Sequence, residues 1–371
     1  MIPNSSNIRV GIDIRKYFDY GIGTYLQNLI IGLEELRGFD GTYFASDDIR
    51  DSVHGSIRGP IIPDNSPKYS LQELFSLSGS ANRQDLDLFH APHYTLPLRL
   101  TMPSVVTVHD IIHLRMKKYF SLPQRMYARM MIGHACRNSS AIIVVSEFTK
   151  QELINVFDVP EQKINVIYNG VHGSFSTAVT DFEQDAFRKK IGINGLYILY
   201  TGSVKPHKNV PVLLKAFAKL RRDFPVQLVM SGERSAMNPE LQHQIDHLQL
   251  QDSIVETGRI TESELRAAYQ SAEAVVLPSV YEGFGLSMVE AMASGTPAVG
   301  ARTSSITEIV GDAGLLFDPH DDEELVLLLR SVMSDGILRS ELCTKGKKRA
   351  EQFSWKDCAE RTMNVYQRIL K

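Results

Sequence analysis

Residues 272–300, AEAVVLPSVYEGFGLSMVEAMASGTPAVG, decide the fold. The run AEAVVLP is almost continuously apolar, as a strand covered on both faces of a parallel sheet must be. Two glycines then flank Phe284, an apolar helical pattern crosses Leu286–Ala293, and TPAVG (296–300) returns to strand. Strand, glycine loop, helix and strand in that order belong to α/β architecture.

The same alternation continues outward. Towards the N-terminus, LYILYTGSV (196–204) reads as a strand, Val210–Leu220 as a helix and VQLVMSG (226–232) as a strand. A helix near Pro239–Leu248, the strand SIVETG (253–258) and a helix from Glu262 complete that half. In the first half, IRVGIDI (8–14) reads as a strand, and Tyr25–Leu36 sets Leu26, Leu29, Ile30, Leu33 and Leu36 on one helical face. Further strands are expected at Leu86–Phe89, Ser104–Val108, Ala141–Val145 and Lys163–Ile167. The pattern predicts two Rossmann-like, doubly wound α/β domains facing a cleft. A polar, aperiodic stretch, His172–Asp185, reads as the linker, which puts the domains at 1–173 and 174–354. Ser46–Pro67, rich in Asp, Ser, Gly and Pro, reads as a mobile loop. An amphipathic helix follows Phe353-Ser354-Trp355.

Composition narrows the class. The 371 residues are 43% hydrophobic and 22% charged, a globular balance that excludes a disordered or fibrous chain. No apolar run reaches the roughly 18 residues of a membrane span, and the start, MIPNSSNIRVGIDI, lacks the pattern of a secretory leader. Three scattered cysteines, Cys136, Cys343 and Cys358, fit neither a disulfide scaffold nor a zinc site, so a reducing cytoplasm is the expected location. A net charge of −3 gives no polybasic signature for nucleic acid.

In open α/β sheets, ligands bind at the carboxyl ends of strands, and four loops there carry chemistry. Gly21-Ile22-Gly23 enters a helix, where an anion can approach backbone N–H groups; it reads equally as a helix-entry turn. His109 ends the strand SVVTV and points to the cleft mouth, or is a core histidine. The text His109-Asp110-Ile111-Ile112-His113 imitates a zinc motif, but a strand precedes it and the acid is Asp, so no metal is expected. Ser146 ends the next strand and reads as an N-cap. Gly202-Ser203-Val204-Lys205-Pro206-His207-Lys208 puts cations beside a helix start, a phosphate-binding arrangement whose bland reading is a solvated loop. In Glu282-Gly283-Phe284-Gly285-Leu286-Ser287, with Glu290 inside the helix, the backbone amides at 285–287 can face an anion and the carboxylates can accept sugar hydroxyls.

Together these residues resemble the retaining glycosyltransferases of family GT4, with the GT-B fold. Glu282 to Glu290 resembles that family's E-x7-E signature, and Gly202 to Lys208 its phosphate-binding lysine loop. Gly21-Ile22-Gly23, Thr107-Val108-His109-Asp110, Asn169-Gly170-Val171 and Gly295-Thr296-Pro297-Ala298-Val299 also match, and Phe353-Ser354-Trp355 resembles the segment where the chain crosses back, as helix 355–371, onto the first domain. The resemblance implies that Glu290 binds the nucleotide ribose, while Glu282 with Gly283, Phe284 and Gly285 holds the donor hexose. It implies that Lys208 neutralises the diphosphate, that Gly21 and Gly23 approach it from the other domain, that His109 lies beside the transferred sugar, and that the base sits near Arg259 and Ile260. Many relatives carry an arginine where this chain has Ser203; His207 or Lys205 is expected to compensate.

The implied reaction is transfer of a hexose from a nucleotide diphosphate sugar to a saccharide or lipid-linked saccharide, with retention, without cofactor or metal. The catalytic residues expected are His109, Lys208 and Glu282. Asp85-Leu86-Asp87 spells the acid pair of metal-dependent transferases but lies outside the donor domain. The opening GIDIRKYFDYGIGTY resembles mannosyltransferases of bacterial surface polysaccharide synthesis, which makes GDP-mannose the first expectation and UDP-hexoses the next. Two other readings stay open: a nucleotide-sugar 2-epimerase of the same architecture, and a non-catalytic nucleotide-sugar-binding protein. No acidic residue lies between Asp110 and Glu147, whereas Arg115, Lys117, Lys118, Arg125, Arg129 and Arg137 do. With Met126, Met130 and Met131 nearby, that segment is expected to meet the anionic inner face of the cytoplasmic membrane.

Overall fold

The computed structural model describes residues 7–53, 55–67, 70–233 and 238–371. The first six residues, part of the stretch read for a leader, lie outside the described residues. The chain divides into two compact units, one made of residues 1–170 and 354–371, the other of 171–353.

The first unit holds seven strands: β1 (Ile8–Asp13), β2 (Phe39–Ala45), β3 (Ile61–Pro63), β4 (Leu88–Ala91), β5 (Ser104–Val108), β6 (Ala141–Val144) and β7 (Ile164–Val166). They form one parallel sheet in the order β3-β2-β1-β4-β5-β6-β7. The second unit holds β8 (Leu196–Gly202), β9 (Val226–Gly232), β10 (Ile254–Gly258), β11 (Ala274–Leu277), β12 (Ala298–Ala301) and β13 (Leu315–Phe317). Its sheet, also parallel, runs β10-β9-β8-β11-β12-β13. In both sheets the strand order reverses beside the first strand of the unit, the doubly wound GT-B topology that sets functional loops at the carboxyl ends. Strands β4, β5, β6, β11 and β12 are buried at every position, which explains their mainly apolar text; the polar His90 and Thr107 among them are hydrogen-bonded.

Three readings are corrected. Ser46–Pro67 is not a structureless loop: it contains the helix Asp47–Val53 and the edge strand β3, which pairs Ile62 with Phe44. The stretch His172–Asp185 is not a plain linker either. A short 3-10 turn covers Gly173–Ser176, and a helix starts at Asp181 under a reciprocal cap between Thr180 and Glu183. Strand β2, FDGTYFA, escaped pattern reading because Asp40 and Gly41 break the apolar run.

The helix Trp355–Ile369 completes the first unit. It packs against the helix Tyr20–Glu35, where Gly32 lets the two backbones approach: a Cβ there would meet the Ala359 Cβ at 2.6 Å. Its Tyr366 hydroxyl bonds His90 Nδ1 at 2.6 Å, His90 Nε2 bonds Thr107 Oγ1 at 2.8 Å, and Tyr25 bonds that hydroxyl at 3.0 Å. Burial lowers the His90 imidazole to about 3, with His109 adding to the effect. The unfolded chain takes up this proton near pH 6.5, but the folded chain refuses it until about 3. Stability is therefore full above about pH 6.5 and is lost on acidification below it, by up to about 1.4 kcal/mol per pH unit for such a histidine. The single tryptophan, Trp355, sits in this unit and reports its unfolding. Urea titrations followed by its fluorescence are expected to show a shallower loss of stability between pH 6.5 and 4.5 in His90→Gln than in the wild type; parallel slopes would contradict the assignment.

Candidate functional site

In the second unit, the loops after β8 and β11 meet because those strands are neighbours. The β8 loop opens with Gly202 at φ 143°, pressed so closely against β9 that a Cβ on Gly232 would collide with the Gly202 carbonyl. Tyr200 donates its hydroxyl to the Ser203 carbonyl at 2.5 Å, so Ser203 is buried and fixes the backbone. Pro206–Lys208 forms a single 3-10 turn, and Asn209 follows in the left-handed conformation at φ 54°. The Asn209 amide donates to the carbonyls of Pro278 at 3.1 Å and Pro319 at 2.7 Å, while Val280 N–H donates to the His207 carbonyl at 2.9 Å. The bonds to Pro278 and Val280 clamp the lysine loop to the end of β11, and the bond to Pro319 ties it to the segment after β13.

The clamp delivers Lys208 Nζ to Glu282 Oε1 at 2.7 Å. Glu282 is gripped through its backbone as well: its N–H donates to Ser304 Oγ at 3.0 Å, and Ser305 Oγ donates to its carbonyl at 2.9 Å. Burial alone would raise the Glu282 carboxyl, but the charge and hydrogen bond of Lys208 outweigh it and hold the group below the usual glutamate value. His207 is lowered too, to about 4, by burial; Lys208 and Lys205 add to the effect and Glu282 opposes it. His207 is thus neutral at pH 7, which leaves Lys208 and the exposed Lys205 as the cations of the loop.

Beyond Glu282, Phe284 is buried edge-on to Phe353 with ring centroids 5.7 Å apart. Gly285 takes φ 97° and begins the helix Leu286–Ala293 with no side-chain cap. The first amides of such a helix have no partner within it and carry the positive end of its dipole. Glu290, about one turn in, accepts a 2.7 Å hydrogen bond from the Tyr269 hydroxyl, which also pairs with Thr201 at 2.9 Å. Burial raises the Glu290 carboxyl above its usual value, with the Tyr269 bond pulling the other way. Arg259 and Ile260 follow β10, two strands from β8 and so about 10 Å across the sheet. Sequence reading missed Tyr269 and the clamping role of Asn209, the residue that closes the lysine loop. Asn209 had a signal, an Asn-Val-Pro entry to a helix; Tyr269 had none.

The first unit holds the other residues. Gly21 is exposed in the first turn of the helix Tyr20–Glu35. Gly23 is buried, its N–H donates to the Asp19 carbonyl at 2.5 Å, and a Cβ would come 2.5 Å from the Tyr17 carbonyl. Its lack of a side chain therefore serves packing, and its amide is committed within the helix. His109 meets the Pro92 carbonyl through Nε2 at 2.9 Å and lies edge-on to Tyr25 at 4.8 Å. Burial lowers it to about 4, the Pro92 bond opposes and Lys16 reinforces, so the ring is neutral. His113 belongs to a separate short helix, Ile112–Arg115, so the two histidines do not share a helical turn. Asp85 and Asp87 both bond Arg9, Asp87 at 2.7 Å. Ser146 caps the helix Glu147–Phe157 by accepting from Thr149 N–H at 3.1 Å.

The basic segment is sorted by the structure. Arg115 stays exposed but is engaged by Glu152 in a two-pronged pair at 2.6 and 2.7 Å, whereas Met131 is buried and leaves the expected surface set. On the helix Leu122–Asn138, Leu122, Met126 and Met130 are 62%, 63% and 51% exposed. Met126, Arg129, Met130, Gly133, Arg137 and Phe157 line a groove of about 560 Å³. Among the described residues, no helix is long and apolar enough to cross a membrane.

Comparison with known proteins matches residues 181–349 to the model for glycosyl transferases group 1, and residues 20–174 to that for glycosyltransferase family 4. The O-antigen chain mannosyltransferase B of Escherichia coli is 28% identical over 95% of this chain and 97% of its own. The MMP alpha-(1->4)-mannosyltransferase of Mycolicibacterium hassiacum is 30% identical over 73% of this chain and 67% of its own. Among solved structures, HepE of Anabaena in complex with UDP-glucose superposes with a TM-score of 0.81 at 20% identity, covering 97% of this chain and 100% of that one.

Proposed function

Because this chain belongs to the GT4 glycosyltransferases, the group 1 transferases of GT-B fold, we propose that it moves mannose from GDP-mannose to a saccharide or lipid-linked saccharide hydroxyl in surface polysaccharide synthesis, with retention and without a metal. The observation that carries the reading is the Lys208–Glu282 pair beside the uncapped helix start at Gly285. The leaving group is a nucleoside diphosphate, so the main task is to neutralise charge gathering on its phosphates. Lys208 and the amides of Gly285, Leu286 and Ser287 supply the positive charge. Lys205 stands in for the arginine that relatives carry at Ser203; His207, being neutral, contributes a hydrogen bond and no charge. Glu282 accepts hexose hydroxyls, Glu290 the ribose hydroxyls, and the strip from β8 to β10 takes the base. His109, neutral as well, hydrogen-bonds the transferred hexose and is no proton donor.

A carboxylate placed for double displacement is not in this set. The leaving phosphate itself takes the acceptor proton on the same face of the sugar. GDP-mannose and methyl α-mannoside are the test pair. An α-linked product by NMR, formed at equal rate with and without EDTA, is expected; a β-linked product or a chelator-sensitive rate refutes the mechanism.

For the acceptor side, we propose that the face bearing Leu122, Met126 and Met130 rests on an anionic membrane, with Lys117, Lys118, Arg125, Arg129 and Arg137 around it. Each such charge contributes about 1 kcal/mol near an anionic surface. Co-flotation with phosphatidylglycerol vesicles at low salt is expected, weakened at least tenfold by joint Arg129→Glu and Arg137→Glu. Flotation equal on neutral vesicles, or unchanged in that variant, rejects it.

A further inference from the structure

The segment Arg15–Asp19, between β1 and the helix Tyr20–Glu35, is pinned by backbone and side-chain hydrogen bonds. Ile14 N–H extends the sheet to the Phe44 carbonyl at 2.8 Å, and two turns follow, Tyr17 N–H to Ile14 and Asp19 N–H to Lys16, each at 2.9 Å. Gln27 Nε2 donates to the Tyr17 carbonyl at 2.9 Å. Beneath the loop, Arg15 is buried and bonds Asp13 at 2.7 Å, Glu73 at 3.0 Å and Ser66 at 3.0 Å. A buried guanidinium with matched carboxylates resists displacement, because breaking any bond strands a charge.

What this foundation presents outward is aromatic. Phe18 is 52% exposed and Tyr20 55%, and the Phe18 ring is braced edge-on by Tyr17 with centroids 5.2 Å apart. Single exposed apolar residues are ordinary on a protein surface. Two half-exposed rings, Phe18 on the braced loop and Tyr20 at the start of the helix that follows, at the carboxyl edge of a sheet are a different matter, since that edge is where α/β ligands bind. Polar groups are interleaved: Asp19 keeps its carboxylate partly exposed, with Lys16 Nζ 3.8 Å away. Tyr25, the residue edge-on to His109, lies five positions along the same helix, about 7.5 Å further along its axis than Tyr20.

We propose that Phe18 and Tyr20 form a stacking platform for a pyranose ring of the saccharide acceptor, with Asp19 accepting its hydroxyls; this rests on the transferase reading above. A pyranose has an apolar C–H face and a hydroxyl rim, and the loop offers flat rings beside a carboxylate. A lipid tail would have to lie against the charged Lys16–Asp19 pair, and a second copy of the chain would need a larger apolar area than two rings supply.

The probe is a linear α-mannotriose, followed by saturation-transfer NMR and titration on the full chain. Wild type is expected to bind it, with saturation strongest on ring-face protons. Phe18→Ala and Tyr20→Ala each weaken binding about fivefold, the order expected of one aromatic contact, and Phe18→Trp restores it. Melting curves by Trp355 fluorescence check that the variants stay folded. No binding by wild type, or equal affinity in the double alanine variant, overturns the platform. So does a dimer in sedimentation that dissociates in Phe18→Ala. Donor binding is read separately, as thermal stabilisation of wild type by GDP-mannose. Its absence with mannotriose binding intact sinks the donor reading and leaves the platform standing.

Discussion

Lys208→Ala is expected to lower turnover by at least about a hundredfold, the cost of roughly 3 kcal/mol for one charged contact to the leaving group, with the fold intact. The fold survives because the loop is held by Asn209 and by the His207 carbonyl, and Lys208 contributes no packing to that clamp. A second readout follows from electrostatics. In wild type, Lys208 keeps the Glu282 carboxyl below its ordinary value against the pull of burial. Without it only the weaker influences of Ser279 and His207 oppose burial, so Glu282 protonates at higher pH, and the acid limb of the residual activity moves to higher pH. Stabilisation by GDP is lost together with turnover. Near-normal turnover, or an unmoved acid limb, would remove Lys208 from the site.

Glu282→Gln produces a loss of similar size by a different route. The amide keeps the shape and the backbone bonds to Ser304 and Ser305, but it removes the anion facing Lys208. Loss of the Glu282 charge also withdraws the one influence that raises His207, so that ring stays neutral. The donor hexose loses its strongest acceptor while the phosphate keeps its cation. Turnover is therefore expected to fall at least about a hundredfold, with GDP binding retained within a few-fold. That split separates the two residues: Lys208→Ala loses both, Glu282→Gln only one. Equal loss of GDP binding in the two variants would mean that Glu282 acts only by holding Lys208 in place.

Much of the molecule was legible in its text. Strands such as AIIV and AVVL had to be central because nothing in them tolerates water, and the helix Leu286–Ala293 announced itself through the glycines before it. The elements that escaped were those whose text is mixed. Strand β2 carries Asp40 and Gly41 yet pairs along its whole length with β1, so tertiary pairing overrode local pattern. The cap between Thr180 and Glu183 was written in the sequence, but polarity around it masked the helix. Charge partners are illegible in principle: Arg115 finds Glu152 through folding alone, 37 positions away. Protonation follows the same rule. His207 read as a cation in a basic loop, and only its burial makes it neutral.

The helix Trp355–Ile369 imposes an order of assembly during synthesis. Residues 171–353 form an unbroken stretch and can close around their own sheet while translation continues. The earlier-made portion must wait: Tyr366, which supplies the hydroxyl for His90, and Ala359, which fills the notch at Gly32, leave the ribosome only after residues 171–353. The half that is translated first is therefore finished second. Until then it exposes an apolar groove along the helix Tyr20–Glu35, a surface for chaperones to shield.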